Sequence, residues 1–74
     1  MLNKISRIVK YVEASNRLDI VFDGIFDDRK FIDYIESEGL NPPLAMSRYS
    51  YYSELIHLYF HNNVDAMAFK LRFE

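Results

Sequence analysis

The sequence predicts one compact α+β domain over residues 1–74, with a small antiparallel sheet and helices on one face. Residues 17–24 and residues 54–60 alternate apolar and polar side chains, which is typical of strands in a sheet covered on one side. Between them, residues 27–43 have the apolar spacing of a helix. The predicted order of elements is β-β-α-β-α, with β-β-α-β-β as the alternative if the last segment is extended.

The length and composition limit both the stability and the chemistry of such a domain. With 74 residues, the chain buries only about 60% of its unfolded surface, so its stability is marginal. Half of the residues are hydrophobic and 16% are aromatic, which suits a packed core and argues against disorder. So much apolar material in a short chain also predicts burial against a second copy, as in a homodimer. The chain has no cysteine, which excludes disulfides and thiolate metal sites.

The charge pattern bears on partners and location. The formal net charge is −2 and the isoelectric point is near 5.6, so the chain as a whole lacks the basic surface of a general phosphate-binding protein. Residues 1–12 interrupt their apolar positions with charges, unlike a signal peptide. No stretch approaches the roughly 18 apolar residues of a membrane span. A cytoplasmic protein without membrane contact is therefore expected.

The first segment, residues 3–14, fits two structures. Its apolar residues recur at helical spacing, whereas its isoleucine, valine and tyrosine residues prefer strands. We favour a strand, because residues 14–17 suit a hairpin loop that leads into the alternating segment. In that segment the apolar face consists of Leu18, Ile20 and Phe22.

The helix over residues 27–43 has signals at both ends. Asp27 or Asp28 can cap its N-terminus, where the helix dipole also favours an acid. Gly39 stands at a position that ends helices, and two prolines follow. The predicted buried stripe consists of Phe31, Ile32 and Ile35, with Tyr34 at its border.

The segment from residue 47 to residue 62 contains the second alternating strand. From Glu54 onward, the apolar face consists of Ile56, Leu58 and Phe60. If the strand also extends back to residue 49, the opposite face carries rings instead of charges: Tyr49, Tyr51, Leu55, His57, Tyr59 and His61. Tyrosine suits contact with another macromolecule, because it offers a large area and a polar end that tolerates water.

The last segment, residues 62–73, again fits two structures. Its apolar residues alternate as they would in a strand: Met67, Phe69, Leu71 and Phe73. However, Asn62 or Asn63 followed by Asp65 is typical of a capped helix start. We favour the helix.

Residues 59–74 also show a resemblance, carried by Phe60, Asp65, Ala66, Phe69, Lys70, Leu71 and Phe73. They resemble the C-terminal segment of small accessory proteins of tailed bacteriophages, in which a ferredoxin-like strand runs into a helix. The resemblance covers about a fifth of the chain. It implies a helix for the last segment. It also implies a phage-encoded inhibitor or modulator of a host protein, acting in host takeover or counter-defence in the host cytoplasm.

No arrangement of residues predicts catalysis or a cofactor. His57 and His61 are four residues apart, and on a strand that spacing separates them by about 13 Å, too far to share a metal ion. We interpret the acids around the turn before the helix as helix caps and a solvated edge: Asp19, Asp23, Asp27, Asp28 and Asp33. No Ser–His–acid arrangement, phosphate loop or dinucleotide motif is recognisable, so we expect a non-catalytic protein without metal or cofactor.

The sequence therefore predicts a small protein-binding module. The residues predicted to contact the partner belong to the ring-rich face and to an exposed acidic turn. They are Tyr49, Tyr51, His57 and Tyr59 on the face, and Asp23, Asp27 and Asp28 in the turn. An acidic turn suits a basic partner, such as a host protein that handles nucleic acid or takes part in defence, because opposite potentials steer the encounter. Two alternatives remain. One is a structural homo-oligomer, and the other is a single-stranded nucleic-acid-binding module that stacks bases on the same tyrosines, which the acidic net charge disfavours.

Overall fold

A computed structural model of the chain describes residues 5–48 and 54–74. The elements are β1 (Ile5–Val12), a 3-10 turn (Glu13–Ser15), β2 (Arg17–Phe22), α1 (Asp28–Ser37), β3 (Ala45–Arg48), β4 (Leu55–Tyr59) and α2 (Asn63–Phe73). The strands form one antiparallel sheet in the order β1-β2-β4-β3, and both helices contribute to the core on one face of it. The predicted α+β class is confirmed, with β3 as an additional short strand between α1 and β4.

β1 is a strand, but its pairing is irregular. The register with β2 shifts between Ile5 and Arg7, and again between Ile8 and Lys10, as it does at β-bulges. As a result, the core-facing residues of β1 recur at every third position: Ile5, Ile8 and Tyr11. This spacing is close to the helical period, which explains why the sequence of β1 fits both structures.

α1 lies where the sequence predicts it and has the predicted signals at both ends. The Asp27 carboxylate accepts a hydrogen bond from the backbone N–H of Lys30 at 3.1 Å and so caps the N-terminus. At the other end, the N–H of Leu40 donates to the carbonyl of Ile35 at 3.2 Å. Gly39 reaches this closing turn with a φ of 78°, a conformation that favours glycine.

The last segment forms helix α2, as favoured from the sequence. The side chain of Asn62 accepts a hydrogen bond from the N–H of Asp65 at 2.9 Å, which caps the helix start. The alternating apolar residues of this segment point in different directions around the helix. Phe69 is fully buried, whereas Leu71 is 74% exposed. Only part of the alternating set therefore lies beneath the sheet.

Phe69 lies at the centre of a core built from phenylalanine rings. Its ring centroid is 5.5 Å from that of Phe60, the residue after β4, and 6.3 Å from that of Phe31 in α1. Phe73, one turn further along α2, lies at 4.7 Å. The Phe69 side chain thus connects both helices to the sheet, and such ring contacts add to the free energy gained by burial.

The two halves of the chain repeat one arrangement, a hairpin followed by a helix. The second strands of the two hairpins, β2 and β4, are antiparallel neighbours at the centre of the sheet. The middle pair of their register joins Asp19 and His57. The order of elements is therefore the same in both halves, although the sequence contains no recognisable internal repeat.

We predict that Phe69→Ala lowers the free energy of unfolding by about 3–5 kcal/mol, because it empties the centre of the core. In a marginal domain, a loss of this size leaves much of the chain unfolded. Leu71→Ala shortens an exposed side chain of the same helix and should cost less than about 0.5 kcal/mol. Urea denaturation compares the two variants. Similar losses for both would contradict the orientation of α2.

Candidate functional site

The face of the sheet opposite to the helices, which we call the open face, carries the candidate site. Side chains of directly paired residues in antiparallel strands point to the same side of the sheet. Because Leu18 and Ile20 face the core, Asp19 and its partners in the neighbouring strands point to the open face. The residues of the open face are Arg7, Lys10, Val12, Arg17, Asp19, Val21, Ala45, Ser47, Leu55, His57 and Tyr59.

Asp19 lies at the centre of the open face and is only 2% exposed. Arg17 Nε lies 2.9 Å from Oδ1 of Asp19 without the alignment of a hydrogen bond, and an Nη group of Arg17 donates to Oδ2 at 3.3 Å. On the other side, Nδ1 of His57 lies 2.6 Å from Oδ1. Contacts with Arg17 and His57 thus replace the water that would surround an exposed carboxylate, which offsets the free-energy cost of burying its charge.

This contact holds the ring of His57 in one orientation. Because Nδ1 faces Asp19, Nε2 lies on the opposite edge of the ring, and the side chain is 22% exposed. Nε2 has no hydrogen-bond partner among the residues that the structure describes. The strand registers place four side chains in one row across the sheet: Lys10, Asp19, His57 and Ser47.

The open face differs in charge from the rest of the molecule. Of the eight lysines and arginines and eleven acids that the structure describes, three cations and one carboxylate belong to the open face, which leaves five cations and ten carboxylates on the rest of the described surface and core. Arg7 and Lys10 are exposed, and neither makes an ion pair within the described ranges. On α2, by contrast, Lys70 pairs with Glu74, and Arg72 pairs with Glu38. The open face is therefore a positive surface on an acidic protein.

The structure brings together only part of the predicted contact. His57 and Tyr59 lie on the open face and are half-buried. Tyr49 and Tyr51 lie outside the described residues. The predicted extended segment from residue 49 to residue 59 is described only from Glu54 onward, where β4 covers Leu55–Tyr59.

The residues of the predicted acidic turn are exposed. Asp23, Asp27 and Asp28 follow β2 in the connection to α1, and none of them is an open-face residue. Asp27 uses its carboxylate to cap α1, as predicted. Asp19 was grouped with these acids as part of a solvated edge, and that interpretation is wrong, because Asp19 is buried between Arg17 and His57.

The sequence contained one signal for the contact between Asp19 and His57. Asp19 stands between Leu18 and Ile20, in the middle of the clearest strand, rather than near its end where the other acids lie. Its partner His57 is 38 residues away along the chain. The pair depends on the register of β2 against β4, and alternation within each strand does not reveal that register.

Comparisons of the chain with protein-family models, curated proteins and solved structures found no match. Within residues 5–48 and 54–74, no group of three or more His, Asp or Glu side chains could hold a metal ion. No helix in these ranges is long and apolar enough to cross a membrane. The functional argument therefore starts from the open face.

We predict that Asp19→Ala lowers the free energy of unfolding by about 1–3 kcal/mol, because it leaves the partly buried groups of Arg17 and His57 without their acceptor. Asp23→Ala removes a nearby exposed acid and should change the free energy by less than about 0.5 kcal/mol. Thermal and urea denaturation measure both values. A loss for Asp23→Ala as large as that for Asp19→Ala would count against the ion pair.

Proposed function

We propose that this protein is a small binding module that holds another protein on its open face. The supporting observation is that the helices cover one face of the sheet, while the other presents cations, a tyrosine and a histidine around a buried carboxylate. Arginine and tyrosine carry much of the binding energy in protein interfaces. The resemblance to phage accessory proteins adds the proposal that the module inhibits or modulates a host protein.

The open face is suited to binding because its centre is ordered in advance. Arg17 and His57 are both fixed by contacts to Asp19, which is almost fully buried. Side chains that are already fixed lose little conformational entropy when a partner binds. Val12, Val21 and Leu55 surround this centre as half-buried apolar residues, which offer further area to a partner.

The charge of the open face indicates the partner's surface. Arg7 and Lys10 extend from β1 beside the paired Arg17, so an acidic partner surface fits this face better than a basic one. The acidic turn of Asp23 and Asp28 favours the opposite charge, but these residues follow β2 and take no part in the strand pairs of the open face. We therefore assign the main contact to the open face. A homodimer that joins two open faces is disfavoured, because it brings like charges together.

A second candidate is binding of single-stranded nucleic acid by the same face. It is favoured by one observation, the two exposed cations Arg7 and Lys10 that make no ion pair in the described part of the chain. A fluorescent oligonucleotide at low and at moderate salt tests it, because phosphate contacts weaken steeply as salt rises. Absence of binding at low salt would eliminate this candidate.

We predict that the double variant Arg7→Glu/Lys10→Glu loses partner capture about tenfold or more, since it reverses the charge of the open face. The matched control is Arg29→Glu/Lys30→Glu, which makes the same change of charge at two exposed positions of α1. Immobilised wild-type protein and both variants are exposed to nuclease-treated bacterial lysate, and the bound proteins are quantified by mass spectrometry.

The amounts of partner captured by the two double variants show which face of the protein binds it. A protein that is retained by the wild type and the α1 control but lost from the Arg7→Glu/Lys10→Glu variant supports docking on the open face. A protein that is lost from the α1 control instead would move the interface to the helical layer. Circular dichroism before the assay confirms that both variants keep the fold.

A further inference from the structure

We propose that the open face also carries an acid–base site for RNA, in which His57, oriented by Asp19, takes the proton of a ribose 2′-hydroxyl group. The proposal goes beyond protein binding and does not depend on a protein partner. It rests on the row of side chains that crosses the sheet at Asp19 and His57, and on the cations beside that row.

The first argument is the orientation of His57. An imidazole that donates Nδ1–H to a carboxylate offers its other nitrogen, Nε2, as a proton acceptor. In this protein Nδ1 lies 2.6 Å from Asp19, and the Asp19 side chain is only 3% exposed, which fixes the ring. A histidine that served only to neutralise Asp19 would duplicate Arg17, which already contacts the same carboxylate.

The second argument is the pair of cations that the strand registers place on the same face of the sheet as His57. Lys10 lies in the same cross-strand row, two strands away from His57, and Arg7 belongs to the same strand as Lys10. Adjacent strands are about 4.8 Å apart, so a lysine side chain from β1 can reach a group bound in front of β2 and β4. These cations can hold a phosphodiester and stabilise the additional negative charge that develops in its transition state.

The third argument is that a base and nearby cations are the groups needed for one reaction, the cleavage of RNA by its own 2′-hydroxyl group. Cleavage of RNA by its own 2′-oxygen needs a base and positive charge, but it requires neither a protein nucleophile nor a metal ion. His57 Nε2 removes the 2′-hydroxyl proton, and the 2′-oxygen attacks the adjacent phosphorus. The bond from phosphorus to the 5′-oxygen breaks, and the 5′-oxygen takes a proton from solvent. The products are a 2′,3′-cyclic phosphate and a free 5′-hydroxyl, and His57 returns its proton to solvent.

This inference departs from the prediction of a non-catalytic protein. That prediction was made from spacing along the chain, where no acid stands near His57 in a recognisable pattern. The structure pairs Asp19 with His57 through the register of β2 and β4. The arrangement of base and orienting carboxylate therefore exists in space, although it is not a motif of the sequence.

The test uses a pool of random single-stranded RNA of roughly 12 nucleotides, labelled with a fluorophore and a quencher, at about 50 mM salt and with EDTA. The wild type should cleave this RNA but not the same pool with 2′-O-methyl groups. Mass spectrometry should find 2′,3′-cyclic phosphate ends. Absence of cleavage, or cleavage of the 2′-O-methyl pool, would overturn the proposal.

The decisive variant is His57→Asn, purified in the same way as the wild type. The asparagine amide can still donate to Asp19 but has no nitrogen at the position of Nε2, so the fold is kept while the base is lost. We expect a loss of about 100-fold or more in cleavage rate. His61→Asn, at an exposed position after β4, should cleave like the wild type. Equal cleavage by His57→Asn would show that a contaminating nuclease is responsible and would overturn the proposal.

Failure of this test leaves the protein-binding proposal intact, because partner capture is measured in nuclease-treated lysate and depends on Arg7 and Lys10. Failure of partner capture, in turn, does not affect the cleavage assay, which contains no second protein. The two proposals can therefore be rejected independently.

Discussion

The helices and the buried core lie on only one face of the four-stranded sheet, and this arrangement shapes the rest of the molecule. Both helices lie on the same face, where Phe69 joins them to the strands. A core on one side leaves the other side of every strand without a covering layer in the described part of the chain. At the centre of the open face, Asp19 is stabilised by contacts with Arg17 and His57 within the sheet.

The pair of Asp19 and His57 is difficult to explain by stability alone. A buried carboxylate loses its hydration, and ion pairs in such positions often contribute no more than apolar side chains of similar size would. Valine or isoleucine at position 19 would suit a central strand and would need no partner. The chain instead places an acid there and supplies it with both Arg17 and His57. A buried acid with two dedicated partners, at the centre of a surface that no helix covers, is more typical of a functional site than of a structural one.

The sequence predicted the parts of the fold that depend on local patterns. Asp27, Gly39 and Asn62 mark helix ends through their own hydrogen bonds or φ angles, so α1 and α2 could be located in advance. β3 has only four residues, too few for a recognisable alternation. Of the residues predicted to contact a partner, His57 and Tyr59 lie on the open face. Asp19 was misinterpreted because its environment is set by cross-strand register, a property of two distant segments and not of either one.

The bulges of β1 have a consequence for the behaviour of the protein at high concentration. β1 is an edge strand, and a regular edge offers a row of free N–H and C=O groups on which another chain can add a strand. Two register shifts within eight residues break the even spacing that such addition requires. The charges of Arg7 and Lys10 add repulsion between identical edges. This irregular strand is therefore a poor template for the addition of a strand from another chain.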